Sequence, residues 1–462
     1  MDKKSSKDLT QGNIFALILT YTVPVILGQI FQNLYNSVDS IVVGQCVDVS
    51  ALAAVSCSND ISQLIVGFFT GLSTGSSILF SRLYGQRRME DLRHAIHTGL
   101  CFAVIVGVGM ALVGVLICPA LLHLVNCPED IWDSAVVYLR IYLVGVFFTS
   151  VYNVLSGVLR AVGDSRSPFL FLVVASLTNV VLDFVFVMGL HMGVAGVAIA
   201  TICSQMLSCC LILVKMTVTD DVYRLHWREL RVDGKILRQV AFYGLPAAIQ
   251  MCIVSFSNLF IQRYLNDFGA SAIAGVGAAK KIDGYVSMLP QSVGLTLASF
   301  TSQNLGAERY DRVFRGVRIG LGMCWVSVAA IGGVILCVPE FFARIFTDDA
   351  EAIHYCVTMM QIMIPFYLVM SIHSVCSNVI RGYGKSALAM VLVVMGMVVF
   401  RQIFMAISMH LRPCVENVIW SYPVGWSFAA AMELVCYLWL SRPYRKAGLR
   451  KAAAGGKEQK WS

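Results

Sequence analysis

Charge is scarce in this sequence. Asp, Glu, Lys and Arg together make up 13% of its 462 residues, while hydrophobic residues make up 57%, and the mean hydropathy is +0.73. A soluble domain carries about 25% charged residues, so a water-soluble fold is excluded and the chain reads as an integral membrane protein. Other features are missing too. The 15 cysteines form no CxxC pair and no His/Cys cluster at zinc spacing, so they read as small apolar filling inside the spans rather than disulfides or metal ligands. There is no Gly-rich phosphate loop, no GxSxG and no Ser/His/Asp constellation, which leaves ATP hydrolysis and acyl transfer without a carrier; no catalytic residue is assigned and an enzyme is not expected. The first apolar segment exceeds signal-peptide length and lacks a small-residue cleavage site, so it is expected to remain as a span. The only low-complexity segment is the short Ala/Gly/Lys tail from Lys451.

What is present is a series of long apolar runs. Twelve are predicted as spans, at 14–43, 51–81, 92–118, 133–159, 168–190, 193–215, 240–264, 271–304, 314–338, 352–380, 386–410 and 416–440. A spanning helix needs about 20 apolar residues and a barrel strand about 10, so these lengths predict an all-α bundle.

The chain also repeats itself. Displaced by 221 residues, Ser50, Ala51, Ala53 and Val55 fall on Ser271, Ala272, Ala274 and Val276, and Ser81, Gly85, Arg88, Gly99 and Leu100 fall on Ser302, Gly306, Arg309, Gly320 and Leu321. Ser156, Val158, Arg160, Gly163 and Ser165 likewise meet Ser377, Val379, Arg381, Gly384 and Ser386. Six spans per half make both halves enter the membrane in the same sense, a parallel repeat of the kind found in membrane transporters. The expected organisation is a six-helix lobe over 1–215, a linker over 216–239, a second six-helix lobe over 240–441 and a basic tail over 442–462. The polar stretch near 216–238 reads as the tether between halves.

Basic residues fix the orientation, because positively charged loops stay in the cytoplasm. Twenty-eight of the 35 Lys and Arg residues fall on one side, in the N-terminal tail, the even-numbered turns, the central connection and the C-terminal tail. Both termini are therefore expected to be cytoplasmic, in a multi-pass protein of the cell membrane. The formal charge of +8 is explained by this topology and by anionic lipid, so no nucleic-acid partner is implied.

Polar side chains inside spans are expensive and need a reason. In the first span Gln32, Tyr35, Asn36 and Asp39 line one helical face. In the fifth, Asn179 and Asp183 are four apart and share a face; in the sixth, Thr201 lies on a helix whose Gly193, Gly196 and Ala200 permit close packing. Such oxygens suit a monovalent cation, a sodium ion at Asp39 and Asp183 for instance, or a proton shared by two carboxylates; interhelical hydrogen-bond glue is the plainer alternative. The repeat favours a coupling role. With a one-residue shift before residue 50, Pro24 meets Pro246 and Asn36 meets Asn258, yet Asp39 meets Ile261, and Asn179 and Asp183 meet Phe400 and Phe404. A structural device would more often survive in both halves. The second half has its own charges, Lys280, Lys281 and Asp283 in span eight, Arg401 in span eleven and Glu433 in span twelve, which are expected to cancel in an internal ion-pair network.

The chain resembles the multidrug and toxic compound extrusion (MATE) transporters, and within them the bacterial DNA-damage-inducible-F-like branch. The resemblance rests on NSVDSIVVG in the first span, LRAVGDSRSP and IRGYGKS after spans four and ten, and TNVVLDFVFVMGLHMGVAGVAIAT across spans five and six, and it covers nearly the whole chain. It implies twelve helices in two lobes and a cleft that alternates its opening. It also implies export of bulky, often cationic compounds against inward flow of protons or sodium ions, with no other cofactor. It implies further that Asp39, Asn179, Asp183 and Thr201 form a cation-binding network and that the first helix can bend at Pro24; Tyr35, Asn36 and Gln32, on the Asp39 face, are expected to support that network or to line the cavity. A monomer is expected, with lipid and a small exported molecule as its partners. Ser255 and Met370 offer none of the second-lobe acidic ligands found in another branch. A flippase for lipid-linked precursors is the runner-up; it would line its cavity with arginines, where only Arg401, Lys280 and Lys281 are at hand.

Overall fold

A computed structural model describes the backbone of residues 8–47, 49–125 and 127–458, and their side chains except those of 35, 36, 40, 41, 43, 45, 46, 49, 50, 52, 60, 124 and 448–458. Among the described residues there are helices and turns and no strand. The helices are α1 (Ile14–Cys46), α2 (Val49–Gly85), α3 (Met89–Leu124), α4 (Trp132–Ala161), α5 (Arg166–Asp183), α6 (Gly193–Val218), α7 (Gly234–Asn266), α8 (Ala270–Gly306), α9 (Tyr310–Cys337), the short α10 (Pro339–Arg344), α11 (Ala350–Gly382), α12 (Ser386–Val394), α13 (Arg401–Leu411) and α14 (Val415–Glu458). A π-helical segment, Phe184–Gly189, continues α5, and another, Met395–Phe400, joins α12 to α13. Among the described residues, eleven helical spans are long and apolar enough to cross a membrane by length and composition. The twelfth, α8, carries Lys280, Lys281 and Asp283 in its first half. The fold is the expected all-α membrane architecture with two repeated halves.

The 221-residue repeat extends to backbone detail. Helices α2 and α8 are both 37 residues long, and the turns that follow put Arg87 (φ 60°) and Glu308 (φ 55°) in the left-handed region, which costs a non-glycine residue about 1–2 kcal/mol. After α4 and α11, Gly163 (φ 92°) and Gly384 (φ 81°) end the helix in the same way. Asp164 N–H reaches Leu159 O at 2.9 Å, and Lys385 N–H reaches Ile380 O at 3.2 Å. These six-to-one bonds close the helix end around a left-handed residue, where only glycine is free of Cβ strain. A close approach has exchanged its small partner between halves: Gly157 lies against Ser73, whereas at the equivalent place Gly294 lies against Asn378.

The chain forms two compact units whose composition differs from halves divided at the linker. Unit 1 comprises Met1–Asp8 and Val23–Ala248; unit 2 comprises Leu9–Thr22 and Ile249–Ser462. In unit 2 the first turns of α1 are tied to α8, with Thr22 Oγ1 2.8 Å from Thr296 Oγ1 and the Tyr21 hydroxyl 3.5 Å from Ser299 Oγ. In unit 1, α7 packs so closely on α2 that a Cβ at Gly75 would lie 2.1 Å from Tyr243 O. Both membership changes fall beside a helix proline, Pro24 in α1 and Pro246 in α7. Proline removes a backbone donor and lets a helix bend there.

The connection after α6 is docked rather than a free tether. Tyr223 and Leu225 are buried, His226 N–H donates to His97 Nε2 at 3.1 Å, Asp233 N–H donates to Thr98 Oγ1 at 3.3 Å, and Glu229 pairs with Arg93. Asp233 caps the start of α7, accepting from the amides of Lys235 (2.8 Å) and Ile236 (3.2 Å); these bonds to its charged form hold its carboxyl below the usual carboxylate range. Helix α14 continues into the basic tail as far as Glu458.

Candidate functional site

In unit 1, α1 and α5 lie side by side. A Cβ at Gly28 would stand 3.5 Å from Leu172 Cδ2, and the rings of Phe31 and Phe169 are 6.1 Å apart. Asp39 and Asp183 each lie eleven residues beyond Gly28 and Leu172. Eleven residues are about three turns, so two helices in parallel register bring the same faces together again. There the carboxyl groups of Asp39 and Asp183 come close enough to act on one another directly. Asp183 is wholly buried and Asp39 nearly so. Ionised carboxylates only accept hydrogen bonds, so such a contact needs a proton or a cation between them.

The surroundings are rich in oxygen and poor in donors. Both oxygens of Asp183, Oδ1 of Asp39 and both amide atoms of Asn179 are buried without a protein hydrogen-bond partner. So is Ser176 Oγ, which sequence reasoning missed; the signal was its spacing, three residues before Asn179 and seven before Asp183, on the same face. Thr201 is buried on α6, which packs along α5. Its hydroxyl donates to Val197 O at 3.0 Å, leaving oxygen lone pairs and no proton to offer. Asp183 is the residue from which the chain enters the π segment, a local widening often found at functional sites. A lone charge at membrane depth costs about 2.5–3.5 kcal/mol even on insertion scales. Two acids with so many unpartnered neighbours are therefore poor hydrogen-bond glue and a suitable donor set for a proton or a small monovalent cation.

The other first-span residues are placed less fully. Pro24 is buried, Gln32 is half-buried, and the side chains of Tyr35 and Asn36 lie outside the described residues.

In unit 2 the equivalent helix pair, α7 and α13, has the opposite polarity. Arg401, 2% exposed, reaches from α13 to Ser257 Oγ (2.7 Å) and Asn258 Oδ1 (3.0 Å) on α7, with the Tyr422 ring 5.6 Å away. The expected ion-pair network among Lys280, Lys281, Asp283 and Arg401 is not formed among the described residues, because each charge is met by a neutral group. Lys280 Nζ donates to Gln262 at 3.3 Å, Lys281 lies over the Phe346 ring, and Asp283 accepts from the Tyr367 hydroxyl. For the buried Arg401, neutral acceptors satisfy the charge without bringing in a second desolvated ion. Glu433 pairs instead with His373.

A cluster of ligating groups, His97, His226 and Glu229, has its ligand atoms within 4.8 Å of one another. Both His97 ring nitrogens are already used, Nδ1 by Arg93 O at 2.7 Å and Nε2 by the His226 amide, and Glu229 is held by Arg93. The cluster pins the connection to α3 and is not a built metal site.

The profile of the MatE family matches residues 24–185 and 246–407, one copy in each half. Among curated proteins, the chain is 27% identical over 389 residues to the probable multidrug resistance protein YoeA of Bacillus subtilis, covering 81% of this chain and 82% of that protein. It is 26% identical over 405 residues to the probable multidrug resistance protein YpnP of the same organism, covering 87% and 89%. Among solved structures, the outward-facing conformation of a multidrug resistance MATE family transporter superposes with a TM-score of 0.89 at 22% identity, covering 96% of this chain and 100% of that one.

Proposed function

The chain belongs to the MatE family of membrane transporters, and from that premise we propose that it is a secondary active antiporter. In this reading it exports organic, cationic or amphiphilic compounds in exchange for protons or sodium ions by alternating access. It works as a monomer in the cell membrane with both termini in the cytoplasm, and it takes no nucleic acid. The observation that carries this reading is the buried pair Asp39 and Asp183 among unpartnered oxygens. With nothing between them, two carboxylates repel and push α1 from α5; a proton or sodium ion between them removes the repulsion and lets the helices close. A change in the packing of α1 beyond Pro24 then connects ion occupancy to helix shape, since the missing N–H at Pro24 makes that turn the easiest to bend. Its relatives' names, multidrug resistance proteins, point the same way for the substrate.

The flippase reading is less well supported. The basic side chains it would need for a lipid phosphate are held by Ser257, Asn258, Gln262 and Phe346. The test is reconstitution into vesicles with ethidium as the probe. A proton or sodium gradient imposed across the membrane is expected to drive ethidium uphill, and failure of both gradients to move it would overturn the antiport reading.

A further inference from the structure

We propose that His373 and Glu433 form a second proton-binding site, in unit 2, that is independent of Asp39 and Asp183. Glu433 on α14 is 0% exposed, and its Oε2 stands 2.9 Å from His373 Nδ1 on α11. Its other oxygen, Oε1, is buried without a partner. The imidazole is 12% exposed, and its Nε2 makes no hydrogen bond among the described residues. With Nδ1–H donating to the carboxylate, Nε2 keeps a free lone pair on the less buried member of the pair. A proton taken up there turns a neutral imidazole hydrogen-bonded to a carboxylate into an imidazolium–carboxylate ion pair, with Glu433 as the counter-charge already in place.

The repeat separates this pair from ordinary scaffolding. Residues equivalent to His373 and Glu433 in the first half are Tyr152 and Ile212, whose roles are plainly structural: the Tyr152 hydroxyl donates to Pro168 O at 2.8 Å, and Ile212 is a fully buried core residue. By contrast Arg381, the nearby buried cation, has an equivalent in Arg160, so it belongs to the fold. Its hydrogen bonds go to Gln250 (2.7 Å) and Asn378 (3.1 Å), so it acts on Glu433 only through its charge, and the hydrogen bond to the acid comes from the histidine. The pair is thus one that the first half lacks.

The groups facing the pair are few. From α11, His373 and Arg381 act on Glu433, and Glu433 in turn acts on Cys376 of α11 and Cys436 of α14; on α8, which packs along α11, Asp283 is taken by Tyr367 and Lys280 by Gln262. On α9, Arg318 faces Tyr437; α12 has no ionisable side chain; and Arg401 of α13 is turned to Ser257, Asn258 and Tyr422. His373 is therefore the imidazole that faces Glu433.

The experiment is nitrogen NMR of the purified protein labelled at histidine, titrated between about pH 5 and about pH 9. The His373 signal is identified by its loss in His373→Gln. The expected result is a change of that signal from neutral to cationic imidazole, with a midpoint that Glu433→Gln moves by at least about one pH unit and Asp39→Asn leaves in place. A His373 signal that does not change across the range, or one whose midpoint is unmoved by Glu433→Gln, overturns the proposal. Should Glu433→Gln fail to fold, the wild-type titration decides alone. Any use of this proton in transport rests on the antiport reading above, whereas the titration does not, so the two can fail separately.

Discussion

Asp39 and Asp183 meet across two helices, each eleven residues past the contact of Gly28 with Leu172, so their meeting follows from the register of α1 on α5. Asp39→Asn and Asp183→Asn keep size and hydrogen-bonding capacity while removing one charge. Each is expected to lower gradient-driven ethidium export in cells by at least about tenfold, the effect of losing about 1.4 kcal/mol of coupling, with normal protein levels in the membrane. Wild-type export by either variant would return the pair to the role of interhelical glue.

Asn179 and Ser176 complete the donor face of α5. Asn179→Ala and Ser176→Ala remove buried oxygens that have no protein partner, so little folding stability is at stake, while a bound ion would lose a ligand. The ion concentration giving half-maximal export should rise by about tenfold for Asn179→Ala, the cost of one charge-assisted contact. An unchanged ion dependence in both variants would remove α5 from the site apart from Asp183.

Helix α2 approaches α7 through Gly75. A methyl group there would lie 2.1 Å from Tyr243 O and 2.6 Å from Gly244 Cα, contacts with backbone that cannot turn aside. Gly75→Ala is expected to destabilise the protein by about 1–3 kcal/mol, read as a lower Tm in detergent. Gly109→Ala, which meets nothing within 4 Å, should hold or slightly raise Tm.

Topology is checked at the connection between α6 and α7. In a cysteine-free background, a cysteine replacing the exposed Arg228 should resist impermeant reagent added outside intact cells and react in inside-out vesicles; the reverse pattern would invert the orientation. Because His97 holds the His226 amide, His97→Ala should also speed proteolysis of the 219–233 stretch severalfold.

Much of this was legible in the sequence, for physical reasons. Apolar length revealed the spans, and the spacing of Asn179 and Asp183 already put both on one helical face. The matched left-handed turns at Arg87 and Glu308, and at Gly163 and Gly384, are the structural side of a repeat visible as letters. Other features were not legible, because they depend on contacts distant in sequence. Nothing local in Leu9–Thr22 says that it packs with α8, and a polar stretch such as 219–233 looks like any solvated loop until His97 and Thr98 are seen to hold it. The π segments leave no composition signature. The charges of α8 and Arg401 were expected to cancel one another because sequence shows sign without partner; the neutral groups that meet them lie on other elements, Gln262, Ser257 and Asn258 on α7, Tyr367 on α11 and Phe346 after α10.

The central claim, that Asp39 and Asp183 couple an ion to export, is tested most directly by following both fluxes at once in vesicles. Ethidium movement is recorded together with an internal pH or sodium indicator. The account predicts that export down an imposed gradient is accompanied by ion movement in the opposite sense in the wild type, and that Asp183→Asn abolishes both together. Ethidium export that continues with no ion flux in the wild type, or opposed fluxes that persist in Asp183→Asn, would contradict it.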